Sequence, residues 1–315
     1  MKAFIFPGQG SQSVGMGKDL AAAFPSARAV FQEIDDALSQ KLFALMSDGS
    51  ESDLNLTENT QPALMAVSMA VIAVLQSEGN INISNKISYL AGHSLGEYPA
   101  LTTAGAFDIA TTAKLLKLRG QAMQRAVPVG VGAMSAILGL DYDDVKSIVS
   151  EAAAQNKGIV EIANDNSAGQ IVISGHVDAV NAANELAIAK GAKRALLLPV
   201  SAPFHCSLMQ PAADEMREAL NAVTVQPLQI PIIANVIADV NSDHARVTDL
   251  LVSQVTGTVR WRESVTRMKN LGVTEMIEIG AGKVLNGLVK RIEKDIEVSS
   301  VGTAEQVSEL IEKLV

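Results

Sequence analysis

Short apolar runs alternate along this chain with segments whose apolar residues recur every three or four positions. Lys2–Phe6 is an apolar run cut off by Pro7-Gly8, the mark of a buried strand. Between Ala21 and Leu45, the residues Phe24, Ala27, Val30, Phe31, Ile34 and Leu38 fall near one face, which predicts helix. Thr60-Gln61-Pro62 reads as a helix start with Pro62 in the first turn, and the nearly apolar Pro62–Leu75 follows as a buried helix. Ile87–Ala91 is a strand candidate, a helix is expected from Glu97, and Thr111–Val127 is a helix rich in Leu, Lys and Arg.

The next stretch reads as a different unit. Ala133–Leu140 is strand-like, and Asp141–Gln155 is helical with Val145, Ile148, Val149 and Ala152 on one face. Ile159–Ala163 and Gln170–Ser174 are short strands, and the polar Asn164–Gly169 between them reads as a turn. Val177–Lys190 is helical and Ala195–Val200 is a last apolar strand. The order β-α-β-β-α-β is the ferredoxin-like pattern. Beyond it, helix Pro211–Val223, strand Ile230–Ala234, helices Val247–Val255 and Trp261–Leu271, strand Met276–Ile279 and helix Lys283–Lys294 restore the alternation of an α/β sheet covered on both faces. The expected organisation is a large domain from residues 1–130 and 200–315, interrupted by a small domain over residues 131–199.

Composition narrows the function. With 315 residues, 48% of them hydrophobic and only 19% charged, the chain has ample material for a core and is not disordered. A net charge of −9 argues against a nucleic-acid partner, which needs a basic footprint. Cys206 is the one cysteine, so no intrachain disulfide forms, in keeping with a reducing cytoplasm. The apolar stretch at the N-terminus is too short for a secretory segment, and Pro62–Leu75 falls short of the ~20 residues of a membrane span, so no membrane partner is expected.

The sharpest chemical signal is Gly92-His93-Ser94-Leu95-Gly96, a G-x-S-x-G between a strand and a helix. That is the setting of a nucleophile elbow, where the serine sits in a strained turn and its neighbours are too tightly packed for side chains. The amides at the start of the following helix are candidate oxyanion donors. A serine needs a base, and the chain has four histidines. His93 adjoins Ser94 and should point away; His176 lies in the small unit; His244 sits in a polar run. His205, where the chain re-enters the large unit, is left as the best base, with a structural histidine as the alternative. Cys206 beside it reads as packing. Arg119, among apolar neighbours, is either a snorkelling surface side chain or a buried guanidinium waiting for a carboxylate. The Pro7–Gly17 loop fits neither common phosphate-binding glycine pattern, because Ser13 and Gln12 stand where glycines are required, but it follows a strand and offers backbone amides. The turn Gly280-Ala281-Gly282-Lys283 reads as close packing.

Taken together these residues resemble the malonyl-CoA:acyl carrier protein transacylase family. The resemblance is carried by Phe6-Pro7-Gly8-Gln9-Gly10-Ser11-Gln12, Gly92–Tyr98, Arg119-Gly120, Asn164-Asp165-Asn166-Ser167, Phe204-His205 and Gly280–Leu288, in order along nearly the whole chain. It implies an α/β-hydrolase-like large domain with a mostly parallel sheet and an inserted ferredoxin-like small domain. It also implies site roles: Ser94 as the acyl-accepting nucleophile, His205 as its base, the Gln254 carbonyl orienting that histidine, the Gln9 and Leu95 amides as the oxyanion hole, and Arg119 holding the malonate carboxylate. Phe204 matches the malonyl-preferring pattern. Malonyl-CoA and acyl carrier protein are the implied partners, no metal or redox cofactor is implied, and a monomer is expected. Pro99 and Ala281 depart from many relatives, away from the expected chemistry. Loading of a polyketide synthase carrier, serine thioesterase or esterase activity, and a non-catalytic carrier-binding scaffold are the competing readings.

Overall fold

The computed structural model describes residues 1–155, 157–200 and 202–315. Two sheets organise it. The larger has six strands in the order β10-β9-β1-β2-β7-β8, where β1 is Lys2–Phe6, β2 Tyr89–Gly92, β7 Ile232–Ala234, β8 Asp239–Asn241, β9 Glu275–Ile279 and β10 Glu297–Val301. Every pairing in it is parallel except β7 with β8. The smaller has four strands, all antiparallel, in the order β4-β5-β3-β6, with β3 Gly132–Leu138, β4 Val160–Ser167, β5 Gln170–His176 and β6 Arg194–Leu197.

Alternation along the strands explains how the layers meet. Phe4 and Phe6 of β1 face a core formed with helices Pro25–Leu38, Thr57–Ser77 and Ile109–Ala126, while Ala3 and Ile5 face a second core around Trp261, Val265, Met268 and Leu285. A strand buried on both faces must read as a continuous apolar run, as Lys2–Phe6 nearly does. The small sheet packs Ile137, Ile171 and Ile173 under its own helices Tyr142–Ala154 and Val177–Ala189. Its other face places Met134, Ala163 and Val172 in the large core, so the two sheets share apolar contacts.

The sequence expectations hold for most elements and fail in informative places. The region Ala21–Leu45 is three helices, Lys18–Ala23, Pro25–Leu38 and Leu42–Asp48, broken at Phe24 and after Ser39 in the left-handed region (φ 49°). The helix at Pro62 begins earlier, at Thr57, so Pro62 lies inside it. Its polar first turns can be buried because they are satisfied: Asn59 Nδ2 donates to the Asp53 carbonyl, Thr60 Oγ1 to that of Leu54, and Gln61 Nε2 to Thr57 Oγ1. At 21 residues this helix is long enough to cross a bilayer, but it lies buried among the other helices of the protein. Asn164–Gly169 is not a turn. β4 continues through Ser167 with two register shifts, and only residues 168–169 turn the chain. These bulges let polar residues occupy strand positions while pointing at partners outside the sheet. β8, β10 and the helix Ala304–Leu314 go beyond the sequence expectation; β8 and β10 are short and half-exposed, without a clear apolar run.

One contact fixes the depth of Arg119. A Cβ added at the next residue, Gly120, would stand 2.5 Å from Glu58 Cα and 2.8 Å from the Thr57 carbonyl oxygen. Helix Ile109–Ala126 therefore touches the first turn of Thr57–Ser77 backbone to backbone. Gly120→Ala should force the helices apart and cost about 1–3 kcal/mol, read as a lower urea midpoint at unchanged m-value. An unchanged midpoint would mean the crossing has slack.

Candidate active site

The carboxyl ends of the parallel strands β1, β2 and β7 converge, as ligand sites in open α/β sheets do. Pro7–Gly10 leaves β1, His93-Ser94 leaves β2, and Asn235 leaves β7. Ser94 is in the left-handed region (φ 53°), which is costly for a residue with a Cβ and persists only where the surroundings enforce it. Here they do. A Cβ at Gly92 would lie 1.9 Å from the Gly96 carbonyl carbon, and one at Gly96 would lie 2.3 Å from the Phe6 carbonyl oxygen, so both glycines are steric requirements of the elbow. Asn235 locks the turn from the side: its Oδ1 accepts the Ser94 amide at 2.8 Å and its Nδ2 donates to the Gly92 carbonyl at 2.7 Å.

Ser94 Oγ is 2.8 Å from His205 Nε2. His205 Nδ1 is 2.8 Å from the carbonyl oxygen of Gln254. That carbonyl lies in the last turn of helix Val247–Thr256, where carbonyls lack helical partners. A carbonyl only accepts, so Nδ1 carries the proton and Nε2 is left to accept from the serine. His205 is buried and, like Ser94, left-handed (φ 59°). Arg119 is 1% exposed and reaches the same point: its Nη2 donates to Ser94 Oγ at 3.2 Å and to Gln254 Oε1 at 2.9 Å, while Nη1 donates to Gln61 Oε1 at 2.8 Å. Of the two readings of Arg119, the buried one holds. Gln9, Leu95, Phe204, Met123, Met134, Asn164, Leu198 and Val200 join these residues around a solvent-open cleft, with walls from both sheets' surroundings.

The profile of the acyl transferase domain family matches residues 3–314. The chain belongs to that family. It is 43% identical to the malonyl CoA-acyl carrier protein transacylase of Bacillus subtilis over 312 residues, 99% of this chain and 96% of that one. Its structure is similar to the acyl-carrier-protein S-malonyltransferase of Bartonella henselae, with TM-score 0.96, 54% identity and 99% of each chain covered. It also resembles a malonyl transacylase solved with a type II polyketide synthase acyl carrier protein, with TM-score 0.94, 42% identity, 99% of each chain covered.

The acyl transferase site buries its ionisable side chains, Arg119, His205 and Glu97. Burial, and then the Arg119 cation, push the His205 pKa down to about 3, so the imidazole is neutral at pH 7. Glu97 is 1% exposed, and burial pushes its carboxyl up to about 7 against hydrogen bonds from Gln254 Nε2 (2.8 Å) and the Asn235 amide (3.1 Å). Gln254 also donates to the Ser94 carbonyl at 3.0 Å. Its backbone therefore holds the histidine while its side chain ties the arginine to the elbow.

None of the other three histidines hydrogen-bonds to Ser94 Oγ, although His93 adjoins Ser94 and lines the same cleft. His93 Nε2 meets Asn166 Oδ1 at 2.8 Å, and its ring packs against Trp261. His176 Nδ1 accepts the Ile159 amide, and His244 opens an exposed turn. Cys206 is buried with its thiol pushed up to about 11, Sγ donating to the Pro203 carbonyl. Sequence reasoning missed Gln61, Glu97, Asn235 and the Gln254 side chain. The available signals were slight: a polar cluster before an apolar helix for Gln61, and a lone Asn at the end of a buried strand for Asn235.

A histidine titrating near 3 in the fold and near 6.5 unfolded binds fewer protons when folded, so stability falls as pH drops from about 6.5 toward 3. His205→Asn, which tolerates a left-handed backbone, should lose stability less steeply than wild type over that range in urea titrations. Parallel pH curves for the two would refute the depressed pKa.

Proposed function

We propose that this acyl transferase moves a malonyl group from malonyl-CoA to the phosphopantetheine thiol of acyl carrier protein, in fatty acid synthesis, through a malonyl-Ser94 intermediate. The observation that carries the reading is the Arg119 guanidinium, buried beside the nucleophile with its cation facing the cleft. An acyl group with a free carboxylate suits it, and an unsubstituted acyl group leaves it unused.

Malonyl-CoA enters with its carboxylate on Arg119, replacing the contact from Nη2 to Ser94 Oγ. That frees a lone pair on Oγ for attack on the thioester carbonyl carbon while His205 Nε2 takes the serine proton. The bound carboxylate also offsets the Arg119 charge that depresses His205, so the fitting substrate eases proton uptake by the base. The Ser94 amide is committed to Asn235, which leaves the Leu95 and Gln9 amides, both at the cleft, as the oxyanion donors. Collapse of the tetrahedral intermediate breaks the C–S bond, and the CoA sulfur leaves with the proton from His205. The carrier thiol then attacks malonyl-Ser94, His205 takes its proton, and Ser94 Oγ recovers a proton as it departs. The Gln254 carbonyl holds His205 through both halves.

The sheet order β4-β5-β3-β6, with helices after β3 and β5, supports a ferredoxin-like unit over residues 131–199. The parallel sheet with an elbow after β2 supports an α/β-hydrolase-like unit from residues 1–130 and 200–315. The lone buried Cys206 suits a cytoplasmic enzyme, read here as a monomer. Loading of a polyketide synthase carrier is a second reading with the same chemistry, favoured by the solved relative that carries such a partner.

Intact mass after brief exposure to malonyl-CoA without carrier tests the intermediate. Wild type should gain one malonyl, Ser94→Ala none, and Arg119→Ala should lose far more malonyl loading from malonyl-CoA than acetyl loading from acetyl-CoA. Free CoA without an adduct would favour a thioesterase. Phe204 is buried and lines the cleft. Phe204→Ser should admit methylmalonyl-CoA, raising its kcat/KM relative to malonyl-CoA; an unchanged ratio would remove Phe204 from selectivity.

A further inference from the structure

A buried guanidinium is normally paired with a carboxylate. Among the described residues Arg119 has no such partner. Its hydrogen bonds go to two neutral amide oxygens, Gln61 Oε1 and Gln254 Oε1, and to the serine hydroxyl. The acid whose charge it feels is Glu97, which bonds to Gln254 rather than to Arg119 and whose own ionisation is suppressed by burial. The cation is thus oriented without being neutralised.

We propose that Gln61 is a specificity-determining residue: it aims the Arg119 guanidinium through an uncharged oxygen, and so reserves that charge for an acyl group bearing its own carboxylate. The inference rests on the carboxylate role given to Arg119 above. Three features support it. Gln61 is 2% exposed and lines the cleft beside Ser94. It is fixed from behind, with Nε2 donating to Thr57 Oγ1 at 3.1 Å, and Thr57 Oγ1 donating onward to Gln9 Oε1 at 3.2 Å. A glutamate has the same length and an oxygen in the same place, so a glutamine here is a choice of charge rather than of shape. An internal carboxylate would pair with Arg119 permanently, compete with a malonyl carboxylate by like-charge repulsion, and relieve the electrostatic penalty on His205 even when the acyl group is neutral.

The test is the ratio of kcat/KM for malonyl-CoA to kcat/KM for acetyl-CoA in wild type, Gln61→Glu, Gln61→Met and Arg119→Ala. The Thr57 hydroxyl can turn to donate to an introduced carboxylate, so the site accommodates it; Gln61→Asp is the alternative variant if Gln61→Glu does not fold, with the same expected direction. Gln61→Glu should lower the ratio by about 100-fold, the scale of placing a competing charge at a buried ion pair. Gln61→Met, equally long but uncharged, should lower it by about 10-fold or less, the scale of one hydrogen bond. Equal ratios in the two variants, or equal losses on both donors, would overturn the proposal by reducing Gln61 to a structural contact. Arg119→Ala separates the two levels of failure. If it lowers both donors alike, the carboxylate clamp itself is wrong. If it lowers malonyl alone while Gln61→Glu keeps the wild-type ratio, the clamp stands and the role of Gln61 falls.

Discussion

The burial of one positive charge organises this protein's interior. A guanidinium withdrawn from water costs several kcal/mol unless its donors are met; the two terminal nitrogens of Arg119 are met by oxygens from Gln61, Gln254 and Ser94, on three different elements, while its buried Nε has no hydrogen-bond partner. Each partner is held in turn: Gln61 by Thr57, Gln254 by Glu97 and the Ser94 carbonyl, and Ser94 by Asn235. A displaced member leaves a buried polar atom unpaired, so the network favours a single arrangement. Gly120 is what lets the arginine stand so deep, since any side chain there would hold its helix away from Thr57 and Glu58.

The same lattice holds the Ser94 elbow and His205 in place. Left-handed backbone at both Ser94 and His205 is strain that isolated segments would release. It survives because the elbow is wedged against β1 through Gly96, tied to β7 through Asn235, and because the His205 ring is pinned between Ser94 and the free carbonyl of a helix end. No carboxylate is needed behind the histidine to select its tautomer. On the reading of Arg119 as the partner of an acyl carboxylate, an acid there would add a second negative group to the pocket.

The small sheet contributes a wall to the cleft, and β4 is its fastening. Asp165 is buried and pairs with Arg262, Asn166 meets His93, and Asn164 bridges to Val259. Two consecutive polar side chains, those of Asp165 and Asn166, thus find partners outside their sheet, where β4 shifts its register, while at Asn164 it is the backbone that pairs with Val259. In sequence the same residues look like a turn, because polarity in a strand is read as exposure when the partners, nearly a hundred residues away, are invisible.

What the sequence determined alone was local in its physics. Apolar runs marked β1, β2 and β9, helical periodicity marked the main helices, and the β-α-β-β-α-β order separated the small sheet from the large. The G-x-S-x-G pattern singled out Ser94 as the candidate nucleophile because its glycines answer to backbone sterics within five residues, and elimination among four histidines left His205 as the candidate base, a pair the structure brings to 2.8 Å. What the tertiary structure decided was every property that depends on distant groups: that Arg119 is buried rather than snorkelling, that Gln254 acts through its side chain as well as its carbonyl, that Gln61 and Asn235 belong to the site, and that the helix around Pro62 begins at Thr57. Burial and hydrogen-bond satisfaction are settled by which chain segments meet, and the local pattern of residues does not encode those meetings in a readable form.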